Sequence, residues 1–313
     1  MIRISRKTLH GEFETGLQEI KDNCWIDLVK PTAAELERVG KETGAQEELL
    51  KAALDEDERP RIEVEEGNVL VIFRVPFKEE SGAGILKIST ISLGIIIAGN
   101  KIITVCVEGN EILRDFYDGK ARQFSTGKRT RFLIQIFART SVRYMRYLNT
   151  IERNIDEIEK ALHRSFRNEE IIKLLEIQKS LVYFNNGVVS NANVLDKIMK
   201  GKVLKLFEED KDMMEDIIID NRQAIETVSI SSSVLSSTMD AYTSIISNNL
   251  NIVMRFLASI TIVLMIPTMI ASFYGMNVHL PMAENEYAFV LILAISLFLS
   301  GILAYVFWRK NWF

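Results

Sequence analysis

Apolar residues are spaced unevenly along this chain, and the spacing changes character twice. Through residue 120 they come in short β-rich runs separated by turn residues. Residues 24–28 predict a strand. Residues 32–43 follow Pro31, are rich in helix formers and stop at Gly44, which predicts a helix; 46–54 predict a second. Runs 62–64 and 69–75 flank Glu66-Gly67-Asn68, a hairpin signal, and runs 88–97 and 101–107 flank Ala98-Gly99-Asn100, another. After Thr130 the spacing becomes helical: 132–163 and 169–199 predict an antiparallel helix pair. Residues 202–266 contain neither Gly nor Pro. A single helix of about 65 residues, at about 1.5 Å each, would extend on the order of 100 Å. The alternative is two helices broken at Ser231-Ser232-Ser233.

The C-terminal part is almost wholly apolar. Residues 252–274 hold one charge, Arg255, and 287–308 hold none. About 20 apolar residues cross a hydrocarbon core of about 30 Å, so both runs predict membrane-spanning helices. A buried soluble hairpin is the competing reading, and two consecutive runs of this length argue against it. The expected fold class is an α/β cytoplasmic domain (1–120), a long α-helical stalk (121–250) and two C-terminal transmembrane helices (251–275 and 287–308). A loop (276–286) joins the spans and a basic tail (309–313) follows them. No apolar leader follows Met1. The loop segment 278–286 lacks Lys and Arg, whereas Arg255, Arg309 and Lys310 lie at the other ends of the spans. Positive-inside reasoning therefore puts both termini in the cytoplasm, with Trp308 and Trp312 as anchors at the inner surface of the cell membrane. Cys24 and Cys106 are too few for a disulfide framework and read as free thiols.

On a helical wheel at about 100° per residue, Asn251, Met254, Leu257, Thr261, Met265 and Thr268 share one face of the first span. Ile252, Phe256, Val263 and Ile270 share the opposite face, suited to lipid or to the second span. Polar groups within a membrane face protein or water. Either this stripe looks onto water, or Thr261 and Thr268 bond their own backbone while the Met residues fill packing gaps. Two spans cannot enclose a water path, but several copies around an axis can. The stripe has no Asp or Glu, which suits a cation such as Mg²⁺ that sheds its water reluctantly. Gly275-Met276-Asn277 follows Tyr274 at the outer end of this span, where a channel would place its selectivity contacts. Gly275 carbonyls and Asn277 amide oxygens would touch a hydration shell there. Met254 and Leu257 would close the path by dewetting, and Glu284 and Glu286 would concentrate cations at the entrance.

Before the first span, Glu208, Glu209, Asp210, Asp212, Glu215, Asp216 and Asp220 crowd one stretch. Asp212, Asp216 and Asp220 fall on one helical face and repel by a few tenths of a kcal/mol per pair. A bound dication would offset that repulsion; a solvated acidic face is the plainer alternative. Enzyme chemistry has little support: three His, no Gly-rich phosphate loop and no Cys/His metal spacing. Asp55-Glu56-Asp57-Glu58 reads as a solvated turn. Nucleic-acid binding is disfavoured by the net charge of −4 and by a basic patch limited to Lys128, Arg129 and Arg131. A membrane-anchored sensor without transport is the alternative from another class, and it has no need of the polar stripe or of Asn277.

Tyr274-Gly275-Met276-Asn277 between two C-terminal spans resembles the signature of the CorA magnesium transporter family. Asn251, Met254, Leu257, Met265 and Thr268 match family positions at the same distances from Asn277, and Pro267 matches with a displacement of one residue. Trp25-Ile26-Asp27-Leu28 with Pro31-Thr32, and Glu58-Arg59-Pro60-Arg61-Ile62-Glu63, look like family landmarks of domain packing. The resemblance implies a homopentamer in the lipid bilayer that conducts through the first span. It also implies Mg²⁺ as both cargo and regulator, bound by carboxylates between subunits that hold the pore shut. Asp216 matches such a position; Asp212 and Asp220 share its face, and Glu79 or Glu80 of the neighbouring subunit would complete the site. Met276 favours magnesium over the zinc branch, where Val is usual, and Co²⁺ and Ni²⁺ remain alternatives. The loop departs from the family's Met-Pro-Glu-Leu; His279, Pro281, Glu284 and Glu286 stand there, with His279 read as a solvent-exposed side chain.

Overall fold

A computed structural model describes residues 1–8, 11–55, 58–79, 87–121, 123–164, 168–201, 203–277 and 287–312. Contacts divide the chain into two units, Met1–Ser236 and Ser237–Phe313. In the first, the short apolar runs form one sheet. Its strands are β1 (Ile2–Lys7), β2 (Phe13–Thr15), β3 (Cys24–Val29), β4 (Arg61–Glu65), β5 (Asn68–Glu79), β6 (Lys87–Ala98) and β7 (Lys101–Cys106), in the order β2-β1-β3-β7-β6-β5-β4. Neighbours are antiparallel except β3 and β7. Glu66 (φ 45°) and Gly67 (φ 82°) are both left-handed between β4 and β5, the conformation a two-residue hairpin turn requires.

Because successive strand residues point to opposite faces, the sheet has two cores. Leu70 and Ile72 of β5, with Ile103 and Val105 of β7, pack beneath α1 (Ala33–Thr43) and α2 (Glu47–Ala52). Thr32 and Glu35 close a reciprocal capping box at the start of α1, and Gly44 ends that helix in the left-handed region. Val71, Phe73 and Val75 of β5 point the other way. They meet α3 (Glu111–Tyr117), α4 (Arg129–Arg164), α5 (Asn168–Met199) and the first turns of α6 (Glu208–Tyr274). Phe73 stacks on Phe137 of α4 at 4.2 Å between centroids, and Tyr144 of α4 meets Phe184 of α5 edge-on at 5.0 Å. The expected boundary at residue 120 therefore coincides with no break in packing, since Phe132, Val194 and Met214 share one core with Trp25.

The structure differs from the sequence expectation at β5, which continues to Glu79 through Pro76 instead of stopping at Val75. The ladder to β4 ends at Ile72, so this part of β5 is an open edge on that side. The Arg74 amide and carbonyl both face away from β6: the amide donates to Asn191 Oδ1 at 2.8 Å, and the carbonyl accepts from Asn191 Nδ2 at 2.7 Å and Tyr144 Oη at 3.2 Å. Residue 76 repeats the orientation of residue 74, so the N–H that proline lacks would have pointed off the edge and costs no ladder bond. Strands β1 and β2 and helix α3, whose N-cap Asn110 accepts from the Leu113 amide, are additions to the expected elements.

Asp27 lies on the α3 side of the sheet and is nearly fully buried. Its Oδ1 accepts from Thr104 Oγ1 at 2.8 Å, and Thr104 Oγ1 accepts from Trp25 Nε1 at 2.9 Å. Tyr117 stacks on Trp25 at 4.6 Å, with the Arg3 guanidinium 4.3 Å from the other partner of that stack, the Tyr117 ring. Burial pushes Asp27 up to about 6, against the opposing pull of the Thr104 hydrogen bond and the Arg3 charge.

The second unit holds the remainder of α6 and α7 (Ala288–Arg309). Helix α6 runs without interruption through Ser231-Ser232-Ser233, so the single-helix expectation holds. Windows of mean hydropathy 2.1 in α6 and 2.6 in α7 make these the two helices long and apolar enough to cross a membrane among the described residues. Ser259, Ser296 and Ser300 are buried between them, small residues that let two helix backbones approach closely. Past α7 the chain turns back through Asn311 (φ 54°), and Trp312 stacks on Phe307 at 5.2 Å.

Two outcomes are expected from these contacts. Asn191→Ala strips the Arg74 amide of its partner and costs about 1–3 kcal/mol, read as a lower denaturation midpoint of the full chain. The folded pKa of Asp27 lies above its ordinary value, so its contribution to stability is complete below about pH 4 and is lost as pH rises through about 6. Asp27→Asn, which is neutral throughout, is expected to exceed the wild type in stability at pH 7.5 by on the order of 2 kcal/mol, the gap closing as pH falls toward 4.

Candidate ion pathway and regulatory carboxylates

The predicted stripe of the first span is exposed throughout its length. Asn251, Met254, Leu257, Thr261, Met265 and Thr268 all carry exposed side chains, with Met254 at 64%, Leu257 at 52% and Met265 at 58%. The side of α6 turned to α7 is instead marked by buried Ser259 and by half-buried Val263, Ile266, Pro267 and Ile270. Of the four residues expected on the face opposite the stripe, Val263 and Ile270 pack in this way, while Ile252 and Phe256 remain exposed.

Both stripe threonines bond their own helix: Thr261 Oγ1 donates to the Leu257 carbonyl and Thr268 Oγ1 to the Leu264 carbonyl, each at 2.8 Å. This is the local arrangement named as the alternative above, and it does not remove the hydroxyls from the stripe. A hydroxyl whose proton is committed to the backbone presents only lone pairs outward. Such an oxygen accepts hydrogen bonds and cannot donate them.

Gly275 closes α6, its amide donating to the Ala271 carbonyl at 2.9 Å, and the Met276 amide donates to the Phe273 carbonyl at 3.2 Å. Gly275 is not in the left-handed region. Met276 and Asn277 are exposed at the helix end. Helix α6 has no basic residue in its last turn, and its terminal carbonyls lack intrahelical donors. Glu284, Glu286 and His279 lie outside the described residues, as does Glu80.

The acidic stretch separates into two groups. Glu208, Glu209 and Asp210 begin α6 and are engaged. Glu208 pairs with Lys211 at 2.7 Å and Glu209 with Arg131 of α4 at 2.6 Å, while buried Asp210 accepts from the Phe207 amide at 3.4 Å. The hydrogen bond and charge of Arg131 hold Glu209 below the usual carboxylate range. Carboxylates at this end also complement the helix dipole. Exposed Asp212 and Asp216 and half-buried Asp220 form no ion pair with the described residues. Glu79, at the end of β5, is already paired with Lys87 at 2.6 Å, and that contact keeps its pKa low. Among the described residues of one chain no three His, Cys, Asp or Glu side chains gather closely enough to hold a metal ion.

A residue that sequence reasoning missed is Ser300 of α7, whose Oγ donates to the Val263 carbonyl of α6 at 3.2 Å. Its signal was a pair of small polar residues, Ser296 and Ser300, four apart in an otherwise apolar run.

The model of a family described as CorA-like Mg²⁺ transporter protein matches residues 21–310. The cobalt/magnesium transport protein CorA of Methanocaldococcus jannaschii is 30% identical over 299 residues, covering 92% of this chain and 90% of that protein. The cobalt/magnesium transport protein CorA of Thermotoga maritima is 23% identical over 315 residues, covering 98% and 88%. The complete structure of the CorA magnesium transporter from Methanocaldococcus jannaschii superposes with a TM-score of 0.85 at 26% identity, over 100% of this chain and 99% of that one. The fold is thus a soluble α/β domain, a long helix and two candidate C-terminal membrane helices. A match that runs from β2–β3 to the end of α7 and takes in the stripe and the Gly-Met-Asn turn identifies the chain as a member of the CorA-like Mg²⁺ transporter family.

Proposed function

We propose that this chain transports hydrated Mg²⁺ across a membrane as a homo-oligomer, through an axial path lined by one α6 stripe from each copy. The observation that carries this reading is the exposure of all six stripe residues on the side of α6 away from α7. The amide of Asn251 and the outward lone pairs of Thr261 and Thr268 gain nothing from lipid, and a ring of copies turns them onto water. Five copies follow from the family resemblance.

Mg²⁺ demands near-octahedral geometry at about 2.0–2.1 Å and gives up its waters reluctantly. The outer surface of a hydrated ion consists of polarised O–H groups that donate. Thr261 and Thr268 offer acceptor lone pairs only, and Asn251 and Asn277 offer amide oxygens, so the lining complements the hydrated ion without displacing its water. A carboxylate in these positions would bind a dication too firmly for release. Leu257 and Met254 form the apolar constriction. Both termini lie in the cytoplasm, so an inside-negative potential drives entry with about 2.3 kcal/mol per charge per 100 mV, twice that for a dication. Co²⁺ would use the same neutral oxygens, in keeping with the names of the two cobalt/magnesium transport relatives.

Regulation is assigned to Asp216 with Asp212 and Asp220, which form no ion pair with the described residues and need ligands from another copy to enclose a dication. Glu79 or Glu80 of a neighbour would complete the site, Glu79 by exchanging Lys87 for the metal. Loss of Mg²⁺ restores repulsion between copies, and α6, helical from Asp212 to the stripe, carries the resulting shift to the constriction.

In liposomes under an imposed potential, Asn277→Ala is expected to lower Mg²⁺ uptake by roughly tenfold or more; undiminished flux would remove Asn277 from the filter. Asp216→Asn is expected to leave maximal uptake intact and to raise the internal Mg²⁺ concentration needed for half-inhibition. An unchanged inhibition curve would assign sensing to other residues.

A further inference from the structure

Helix α6 contains one proline, Pro267. Proline has no N–H, so the carbonyl four residues earlier, that of Val263, loses its helical donor. In hydrocarbon, where water is absent, such a carbonyl must be satisfied by a neighbouring group. Ser300 of α7 donates to this same carbonyl, at 3.2 Å, and is itself buried at 8% exposure. The neighbouring hydroxyls behave differently. Ser259 donates to Arg255 of its own helix, Ser296 to Leu293 of its own helix, and Thr261 and Thr268 likewise stay within α6. Of these five hydroxyls, the one that crosses between the spans is the one that meets the carbonyl vacated by the proline.

We propose that Ser300 is a positioning residue for the ion pathway: its hydroxyl supplies the hydrogen bond that Pro267 withholds from Val263, so the second span holds the first at its weakest point. The inner stretch of the stripe, Asn251 to Thr261, lies before this point, and Thr268 with the Gly275-Met276-Asn277 turn lies after it. The contact sits on the side of α6 away from the stripe, where it sets the relation between constriction and filter without entering the path. This assignment rests on the transport reading above for its functional consequence and on the hydrogen bond alone for its structural one.

The test is a double-mutant cycle in the full chain: wild type, Ser300→Ala, Pro267→Ala and the double variant. Replacing Pro267 by Ala restores an N–H that can satisfy Val263 within the helix, so the serine becomes redundant. Ser300→Ala is expected to lower the apparent unfolding midpoint in detergent by about 3 °C in the wild-type background and to change Mg²⁺ uptake in liposomes about fivefold. Both effects should vanish in the Pro267→Ala background. Equal effects in the two backgrounds, or none in either, would overturn the proposal. If Pro267→Ala fails to fold, the isosteric pair Ser300→Thr and Ser300→Val decides: retention of wild-type midpoint by Thr and loss by Val supports the hydroxyl's role, and identical behaviour refutes it. Should the wild type itself pass no Mg²⁺, the transport reading falls, while the midpoints still decide the hydrogen bond.

Discussion

A backbone amide or carbonyl shut away from water and left without a partner costs on the order of 1–3 kcal/mol, and more in hydrocarbon. That requirement organises both units of this chain. In the sheet, regular pairing of β5 stops at Ile72 on one side, and Asn191 of α5 takes up the amide and carbonyl of Arg74 beyond that point. In the second unit, regular pairing of α6 lapses at Pro267, and Ser300 of α7 takes up the Val263 carbonyl. In each case a proline lies next to the gap and a short polar side chain from a packed helix closes it. The irregular points of the backbone thereby become the points at which neighbouring elements are held in register.

The distribution of charge follows from the same cost. Carboxylates are absent from the stripe and concentrated near the start of α6, where water or cations are at hand. Glu208, Glu209 and Asp210 are committed to the helix start and to Arg131, whereas Asp212, Glu215, Asp216 and Asp220 form no ion pair with the described residues. The stripe carries neutral oxygens instead. Committing each threonine proton to an i−4 carbonyl satisfies the hydroxyl inside its own helix and fixes the polarity of what remains exposed. Under the proposed transport reading, local helix chemistry and cation recognition would be compatible, because one uses the donor and the other the lone pairs.

Much of the fold was legible because its signals are local. Both hairpins announced themselves through turns that need left-handed residues, and Thr32 with Glu35 marked the start of α1. The stripe was legible because helical spacing alone puts Asn251, Met254, Leu257, Thr261, Met265 and Thr268 on one face. What could not be read depended on partners distant in the chain. Pro76 looked like the end of a strand because a sequence does not reveal that β4 has already stopped pairing. β1 and α3 are short: the apolar residues of α3 become meaningful only against Trp25, and those of β1 only in the opposite core beside Ile26 and Leu28. In the acidic stretch, nothing in the order of residues separates Glu209 from Asp216; Arg131, far earlier in the chain, does so. The Ser296/Ser300 pair marks a close helix contact, but the partner of Ser300 was invisible for the same reason, since its acceptor is defined by a missing N–H on another helix.

The end of α6 adds a last step to the account of cation selectivity. The final carbonyls of an α-helix have no intrahelical donors and together carry roughly half a negative charge. Most helices place Lys or Arg nearby, and α6 has none in its last turn. Its Gly275 and Met276 amides are already used on Ala271 and Phe273, so the turn that carries Asn277 presents acceptors and few donors. In the ring proposed above, the copies bring several such helix ends to one mouth. Their partial charges add around the axis without any single group strong enough to strip an ion of its water. A site built as proposed would reject anions, attract a dication more than a monovalent ion and release what it attracts, the three requirements of a conduit for hydrated Mg²⁺.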